Sequence, residues 1–417
     1  MSSLQPLRGT HDLLPEAMRR HRHVVETAEA VAERYGYLAM ATPILEFTEV
    51  FKRTIGDATD IVTKEMYSFQ LGEGESITLR PENTAGVARA FLSNGLAQDL
   101  PLKFFYAGPM FRHERPQKGR QRQFHQIGVE LFGVPQAQGD IEVIAAGARI
   151  LDALGILDKT TLELNTLGDA ESRQAYRTAL IDYFQAHREG LSEDSVKRLE
   201  RNPLRILDSK DAGDRKLVAG APDFGSYLTS SAKDFFAEVR AGLEALNIGY
   251  VLNPRLVRGL DYYCHTAFEF TTETLGAQGT VMGGGRYDYL VETMGGPPTA
   301  GVGWAAGIER LALMVAEPPA APRPFALVPI GAAAEARALL LAESLRGAGF
   351  AIDLGFSGNL KKRMRRADKL GARAALILGD DELAAESIVL RDLDSGQQET
   401  LALADLTEEL RGLAPSR

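Results

Sequence analysis

The chain has 417 residues, 45% of them hydrophobic and 25% charged, with a formal net charge of -9, a globular composition too long for one compact core. Cys264 is the only cysteine, which excludes an internal disulfide and a cysteine-rich zinc site, and the seven histidines lack HExxH-type ligand spacing. No apolar run approaches the roughly 18 residues that span a membrane, and Arg8, His11 and Asp12 stand where a signal peptide would be apolar, so a cytoplasmic protein is expected.

Residues 16–35 read as an amphipathic helix, with Val24, Val25, Ala28, Val31 and Ala32 on one face and Gly36 beyond its end. Strand-like stretches follow at 38–46, 77–79, 103–112 and 123–132, with a helical stretch at 84–92. Several are joined by loops instead of crossover helices, which predicts an antiparallel sheet. Residues 140–154 are helical and 162–164 a strand, whereas 168 to about 235 is rich in charge and helix formers and reads as a helical insertion. Strand patterns return at 250–252 and 262–270, a glycine-rich turn follows at 283–288, and a helix over 306–315 closes the first domain. The proline-rich stretch 317–324 is a semi-rigid linker. Beyond it, strands at 325–330, 350–354 and 374–378 alternate with helices at 333–347 and 358–370, which predicts a small α/β domain with a largely parallel sheet.

The most informative stretch is 111–130. Arg112, Arg115, Lys118, Arg120 and Arg122 face Glu114 alone, in an acidic chain, and such a local excess points to phosphate. In the strand that follows, Phe124, Gln126, Gly128 and Glu130 share one face, and Ile127, Val129 and Leu131 the other. The first face suits a pocket floor that stacks a ring and hydrogen-bonds a polar ligand. The bland alternative is a solvated hairpin, but an interior glycine weakens a strand unless something must approach its backbone.

Other segments supply further polar groups. Glu82 and Thr84 offer a carboxylate and a hydroxyl before the helix at 84–92, although Asn83 or Thr84 could be only an N-cap. Arg258 stands beside Tyr262 and Tyr263, which could equally be an ion-paired arginine next to two core phenols. The 283–288 segment resembles a phosphate-cradling loop but lacks the Walker lysine and the Rossmann spacing. Glu309 and Arg310 follow a run of small residues at a helix start. A second basic patch gathers Lys361, Lys362, Arg363, Arg365, Arg366, Lys369 and Arg373 against Asp368.

Together these segments carry a family resemblance. FRHERPQKGRQRQFHQIGVE resembles motif 2 of class II aminoacyl-tRNA synthetases, and Gly307-Ile-Glu-Arg310 is similar to their motif 3. LVRGLDYY and GGGRYD resemble two motifs peculiar to the histidyl-tRNA synthetases, and the likeness runs from Leu7-Arg-Gly through the C-terminal domain. It implies an α+β chain: a class II antiparallel-sheet catalytic domain over 1–316 with the helical insertion, the linker, and an α/β anticodon-binding domain over 325–417.

The resemblance also implies an activity and its residues. Histidine would be activated with ATP, releasing pyrophosphate, and the histidyl group passed to the 3′ end of tRNA(His). Arg112 and Arg258 would grip the α-phosphate as catalytic residues, Arg310 the γ-phosphate, Arg120 and Glu114 would attend the ATP, and Phe124 would stack on adenine. Mg2+ would accompany the phosphates, with Glu114 and nearby acids as candidate ligands. Glu82 and Thr84, with Asn83 beside them, would bind the histidine ammonium, helped by Gln126. Glu130 and Tyr263 would meet the imidazole in a pocket lined by Tyr262 and Tyr287, where Arg112 and Arg258 complete the histidine contacts. Arg115, Gln117, Lys118 and Arg122 would meet the tRNA acceptor end, and Lys361, Lys362 and Arg365 its anticodon end. A homodimer is implied, with the N-terminal helix and the adjacent strand at its interface. The rival is a non-catalytic, histidine-sensing paralogue, the regulatory subunit of ATP phosphoribosyltransferase; such proteins tend to lose the ATP-gripping arginines and the anticodon domain. A pure RNA-binding module is disfavoured by the acidic total charge.

Overall fold

The computed structural model describes residues 4–413 except 57, 58, 60, 73, 118, 202, 208, 210, 258, 259, 261, 277, 278 and 319. Two units emerge, Met1–Pro319 and Ala320–Arg417. No described helix is long and apolar enough to cross a membrane.

The first unit begins with α1 (Pro15–Arg34), which buries Val24, Ala28, Val31 and Ala32 as their spacing predicts. Gly36, at φ 79°, turns the chain beyond its end, a conformation glycine adopts without strain. Next come β1 (Leu38–Ala39), β2 (Leu45–Phe47), α2 (Thr48–Ile55), β3 (Tyr67–Leu71), β4 (Glu75–Leu79) and α3 (Thr84–Ser93). The single strand expected over 38–46 is therefore two. Pro43 has no N–H for a ladder, and Thr42 beside it is held by the Arg80 guanidinium, so the chain leaves one sheet and enters another. β1 runs parallel to β5 (Leu102–Phe111), whereas β2, β4 and β3 make a separate three-stranded sheet.

β5 pairs antiparallel with β6 (Gln123–Phe132) along its whole length. Then follow α4 (Ala137–Ala153), β7 (Thr161–Thr166), α5 (Ala170–Ala186), α6 (Glu193–Arg201), α7 (Ala212–Val218), α8 (Ser230–Ala245), β8 (Val251–Leu252), β9 (Cys264–Thr271), β10 (Thr280–Arg286), α9 (Leu290–Thr293), β11 (Gly301–Gly307) and α10 (Ile308–Met314). The large sheet has the order β1-β5-β6-β11-β10-β9-β7-β8. Its body is antiparallel as expected, and only the two-residue strands at its edges pair parallel. One face carries Ile127, Val129, Val302 and Trp304 into a core shared with α1, α4 and α8. The other is the site's floor.

The glycine-rich segment 283–288 is not a turn: Gly283, Gly284, Gly285 and Arg286 lie inside β10, paired with β11 on one side and β9 on the other. The helical insertion is present but reaches Ala245, ten residues past the expected end. Tyr176, Leu180, Phe184, Leu199 and Ile206 give it a core of its own, while Val239 and Leu243 of α8 join the main core.

The second unit contains β12 (Phe325–Ile330), α11 (Ala332–Gly347), β13 (Ile352–Leu354), α12 (Leu360–Lys369), β14 (Ala374–Gly379), α13 (Asp380–Ala384), β15 (Ser387–Asp392), β16 (Gln398–Ala402) and α14 (Leu406–Leu413). Its sheet is mixed, not largely parallel: β13, β12 and β14 are parallel, whereas β15 and β16 return antiparallel.

Candidate active site

The floor of the site is a sheet stripped of side chains where other groups need room. Across adjacent strands, Gly285 pairs with Gly303 and Gly303 with Glu130. A Cβ at Gly303 would lie 2.0 Å from Glu130 Oε2, one at Gly285 2.9 Å from the Tyr263 ring, and one at Gly301 2.3 Å from Tyr287. Any larger residue at these positions would collide with the group above it. Gly128 serves the same end: its Cβ would stand 2.3 Å from the Tyr106 phenol. The group that must approach the strand backbone at Gly128 is thus a side chain of the protein, directly opposite on β5.

Above this floor is a cavity of about 280 Å³ with two unlike ends. At one end stand Glu82, Thr84, Gln126, Tyr262 and Tyr263. The Glu82 carboxylate accepts the backbone N–H groups of Thr84 at 2.7 Å and Ala85 at 2.9 Å, so it caps α3. Burial raises its carboxyl above the ordinary range, and those amide bonds offset part of the rise. The Gln126 amide oxygen is buried with no hydrogen-bond partner among the described residues, an acceptor that a bound donor would satisfy. Behind Thr84 is Glu130, wholly buried. It accepts from Thr84 Oγ1 at 2.7 Å, from the Tyr287 hydroxyl and, weakly, from Tyr106 at 3.4 Å. Burial pushes its carboxyl up to about 8, against the lowering effect of the Tyr287 and Thr84 bonds.

The other end is cationic. Arg112, Arg120 and Arg310 line it with Phe124 and Glu114. The Arg112 guanidinium lies 5.3 Å from the Phe124 ring centroid and donates to Pro81 O at 2.9 Å. Arg120 is ion-paired with Glu114. Arg310 donates to Gly119 O at 2.9 Å and Thr280 O at 2.6 Å. Burial, and the charges of Arg120 and Arg112, hold the Arg310 guanidinium below its ordinary value. Three cations gathered in a half-enclosed space are the electrostatic complement of a polyanion.

The cavity therefore joins a recess lined by hydrogen-bonding groups to a cluster of arginines, and known proteins match nearly the full length of the chain in which it is built. Residues 9–311 match the family model for histidyl-tRNA synthetase, and 325–413 that for an anticodon binding domain. The chain belongs to the histidyl-tRNA synthetase family. A histidine–tRNA ligase of Rhodospirillum rubrum is 62% identical over 98% of this chain and 99% of its own. One from Gluconacetobacter diazotrophicus is 58% identical over 99% and 100%. Among solved structures, the apo histidyl-tRNA synthetase of S. aureus has a TM-score of 0.83 at 33% identity, covering 98% of this chain and 99% of that one.

In this synthetase fold the motif residues fall into three groups. Glu82, Thr84, Arg112, Glu114, Arg120, Phe124, Gln126, Tyr262, Tyr263 and Arg310 come together around one cavity. Glu130 and Tyr287 do not line it but form the buried layer behind Thr84 and the tyrosine pair. Asn83 is turned elsewhere: its side-chain oxygen accepts from Thr42 Oγ1 at 2.6 Å and from Arg80 at 3.1 Å, so it fixes the approach to α3 and does not line the cavity. Arg258 and Lys118 lie outside the described residues.

The surface assignments divide in the same way. Arg115 and Gln117 are exposed on the hairpin loop, but Arg122 is half-buried, with its backbone N–H on Gly9 O at 2.7 Å and its Nε on Glu114 O at 3.2 Å. Arg122 therefore holds the loop to the N-terminal segment. In α12, Lys361, Lys362, Arg365 and Lys369 are exposed. Arg363 is buried against Pro329 O and Glu335, Arg366 pairs with Asp353, and Arg373, beyond the helix, pairs with Asp392 and Asp394.

Two contacts are not legible in the motifs. The carboxylate of Glu309 takes both the backbone and the ring of His125, and Tyr106 reaches Glu130 over Gly128. Tyr106 was discoverable from the hairpin register, which sets it opposite a glycine. The acids do not make a metal site of their own. Glu82 is engaged by amides, Glu114 by Arg120 and Glu309 by His125, and among the described residues no three His, Cys, Asp or Glu gather to hold an ion.

Proposed function

We propose that this protein joins L-histidine to ATP, forming histidyl-adenylate and pyrophosphate, and then transfers the histidyl group to the 3′ end of tRNA(His). The observation that carries the reading is a single cavity with a carboxylate–phenol recess at one end and an arginine cluster at the other. In the first step a histidine carboxylate oxygen attacks the α-phosphorus, the new O–P bond forms as the bond to pyrophosphate breaks, and both reactants are anions. Arg112 offsets their repulsion and the charge that develops, Arg310 takes the outer phosphates, and Phe124 offers a face to adenine. Arg258 joins Arg112 in this reading through its motif alone. The free lone pairs of Glu82, together with the unpartnered Gln126 oxygen, accept the α-ammonium. The imidazole N–H takes Glu130 Oε1 in place of the Thr84 hydroxyl, and Tyr263 meets the second ring nitrogen. A buried site built for such bonds rejects an analogue lacking them by about 10⁴ to 10⁵.

Mg2+ would offset the charge of the ATP phosphates and would be carried chiefly by the nucleotide, since Glu82, Glu114 and Glu309 are engaged by amides, Arg120 and His125. The tRNA is met by Arg115 and Gln117 at its acceptor end and by Lys361, Lys362 and Arg365 at its anticodon end, in the cytoplasm. A homodimer is supported by the exposed apolar side chains Leu45, Phe47, Phe69 and Leu71 of the β2-β4-β3 sheet and by exposed Leu38 of β1. The histidine-sensing paralogue is disfavoured by the retained Arg112 and Arg310 and by the anticodon-binding unit.

The test is amino-acid-dependent ATP–pyrophosphate exchange on the purified protein, followed by charging of tRNA(His). Exchange with histidine alone, then charging, is the expected result. Histidine binding without exchange would replace this reading with the regulatory paralogue.

A further inference from the structure

The histidine recess is held from outside the sheet. Tyr262 and Tyr263 precede β9 and reach the cavity from a segment that no strand ladder fixes. Among the described residues, part of what holds it comes from the root of the helical insertion. Arg173, in the first turn of α5, donates from Nη1 to the Tyr263 carbonyl at 2.8 Å. Two residues on, the chain is pinned again: His265 N donates to Gly168 O at 2.8 Å and Leu167 N to His265 O at 2.6 Å. His265 has φ 46°, a left-handed conformation uncommon for a residue with a side chain, so this turn persists because its surroundings impose it.

The root itself is cross-tied by side-chain hydrogen bonds. Asp169 caps α5 by accepting Ser172 N at 2.8 Å and also accepts the Thr229 hydroxyl at 2.5 Å, while Thr229 N donates to Ser172 Oγ at 3.0 Å. Thr229 is in turn the N-cap of α8. The two chain crossings of the insertion are thus knotted together within a few residues of Arg173, and the insertion's separate core lies directly beyond.

We propose that Arg173 is a positioning residue through which the helical insertion sets the Tyr262–Tyr263 pair, and through which histidine binding is felt in the insertion. The proposal rests on the assignment of Tyr263 to the histidine pocket. An interaction that steadies the bound arrangement of the pocket must itself be steadied by the ligand, since coupling between two sites is reciprocal.

Arg173→Met keeps the aliphatic stem and removes the donor, Arg173→Lys keeps a donor, and Tyr263→Phe tests the pocket directly. Each is measured by KM for histidine, KM for ATP and kcat in pyrophosphate exchange, with thermal melts and amide hydrogen exchange of 170–186 with and without histidine. The expected result for Arg173→Met is a histidine KM raised about tenfold at unchanged ATP KM and melting temperature, with Arg173→Lys recovering part of the loss. Histidine slows exchange in 170–186 of the wild type and does not in Arg173→Met. A wild-type histidine KM in Arg173→Met beside a raised one in Tyr263→Phe overturns the proposal alone. Wild-type values in both overturn the pocket assignment beneath it. Equal rises in both KM values with a lowered melting temperature reduce Arg173 to a stability residue and also overturn it.

Discussion

His125 and Glu309 are joined twice: the backbone N–H of His125 donates to both carboxylate oxygens at 3.0 Å, and its ring Nδ1 lies 2.7 Å from Oε1. Burial raises the Glu309 carboxyl, but the His125 bonds outweigh it and hold the group below the ordinary range. The strand bearing Phe124 and the helix bearing Arg310 are thereby clamped at adjacent residues. His125→Ala should raise the KM for ATP about tenfold with little change for histidine, and lower stability by about 1.5–3 kcal/mol, the loss of a charge-assisted bond. Because the folded carboxyl is depressed, that stability is present above the unfolded value of 4.5 and is lost as pH falls through the lower folded value. Urea denaturation of both proteins should show a gap that closes on acidification; a pH-independent gap would assign the loss to packing.

Glu130 behaves in the opposite sense. Its folded carboxyl, at about 8, is well above the unfolded 4.5, so the fold prefers the protonated form. The stability this contributes is complete below the unfolded value and declines as pH rises to about 8. Glu130→Gln is neutral throughout, so its stability relative to the wild type should climb from pH 5 to 8 and then level off. Its histidine KM should rise about 10²-fold, since an amide cannot share a proton with imidazole. Parallel pH–stability curves would show that burial does not govern this carboxyl.

Arg286 and Asp140 are both wholly inaccessible and ion-paired, and Arg286 also donates to Val134 O at 3.0 Å and Gln136 O at 3.2 Å. Arg286→Met strands the charge of Asp140 and that of Asp288, which Arg286 also pairs with at 3.0 Å, and should cost about 3–5 kcal/mol, whereas adding Asp140→Leu should recover part of it. Thermal melts of the single and double variants decide the matter: additive losses would mean that the two residues act independently.

Cys264 is inaccessible, its sulfur accepts the Asp288 N–H at 3.4 Å, and burial drives its thiol far above the ordinary range. Iodoacetamide at pH 8 should leave the folded protein unlabelled and alkylate it fully in denaturant. Labelling under native conditions would require opening of β9 or a reactive thiol that the packing does not support.

Periodicity made the helices and the long hairpin legible, because α1 buries one continuous face and β6 alternates Ile127, Val129 and Leu131 with polar or small residues, although both of its faces are buried beyond Gln126. It failed at β10 and β11, where Gly283, Gly284, Gly285, Gly301 and Gly303 carry no hydrophobic signal. Gly303 and Gly301 face Glu130 and Tyr287, Gly285 faces the Thr266 carbonyl and the Tyr263 ring, and Gly284 faces Gly303 O and Trp304, a demand visible only in three dimensions. The same blindness hid Asn83's role, since the choice between ligand and scaffold turned on where Arg80 lay. In the second unit, the strand–helix alternation up to 378 was readable, but nothing in it announced the antiparallel return of β15 and β16.

The glycines under Glu130, Tyr263 and Tyr287 have no smaller replacement. Substitution can only fill that floor, never deepen it. Redesign toward a bulkier amino acid must therefore draw its volume from the opposite wall, by trimming Tyr262 or Tyr263, and each cut there removes a phenol along with the ring. Size and polarity cannot be retuned separately in this recess, so if it holds imidazole as proposed, a mutational path to a new substrate would have to cross variants that have surrendered imidazole before gaining anything else.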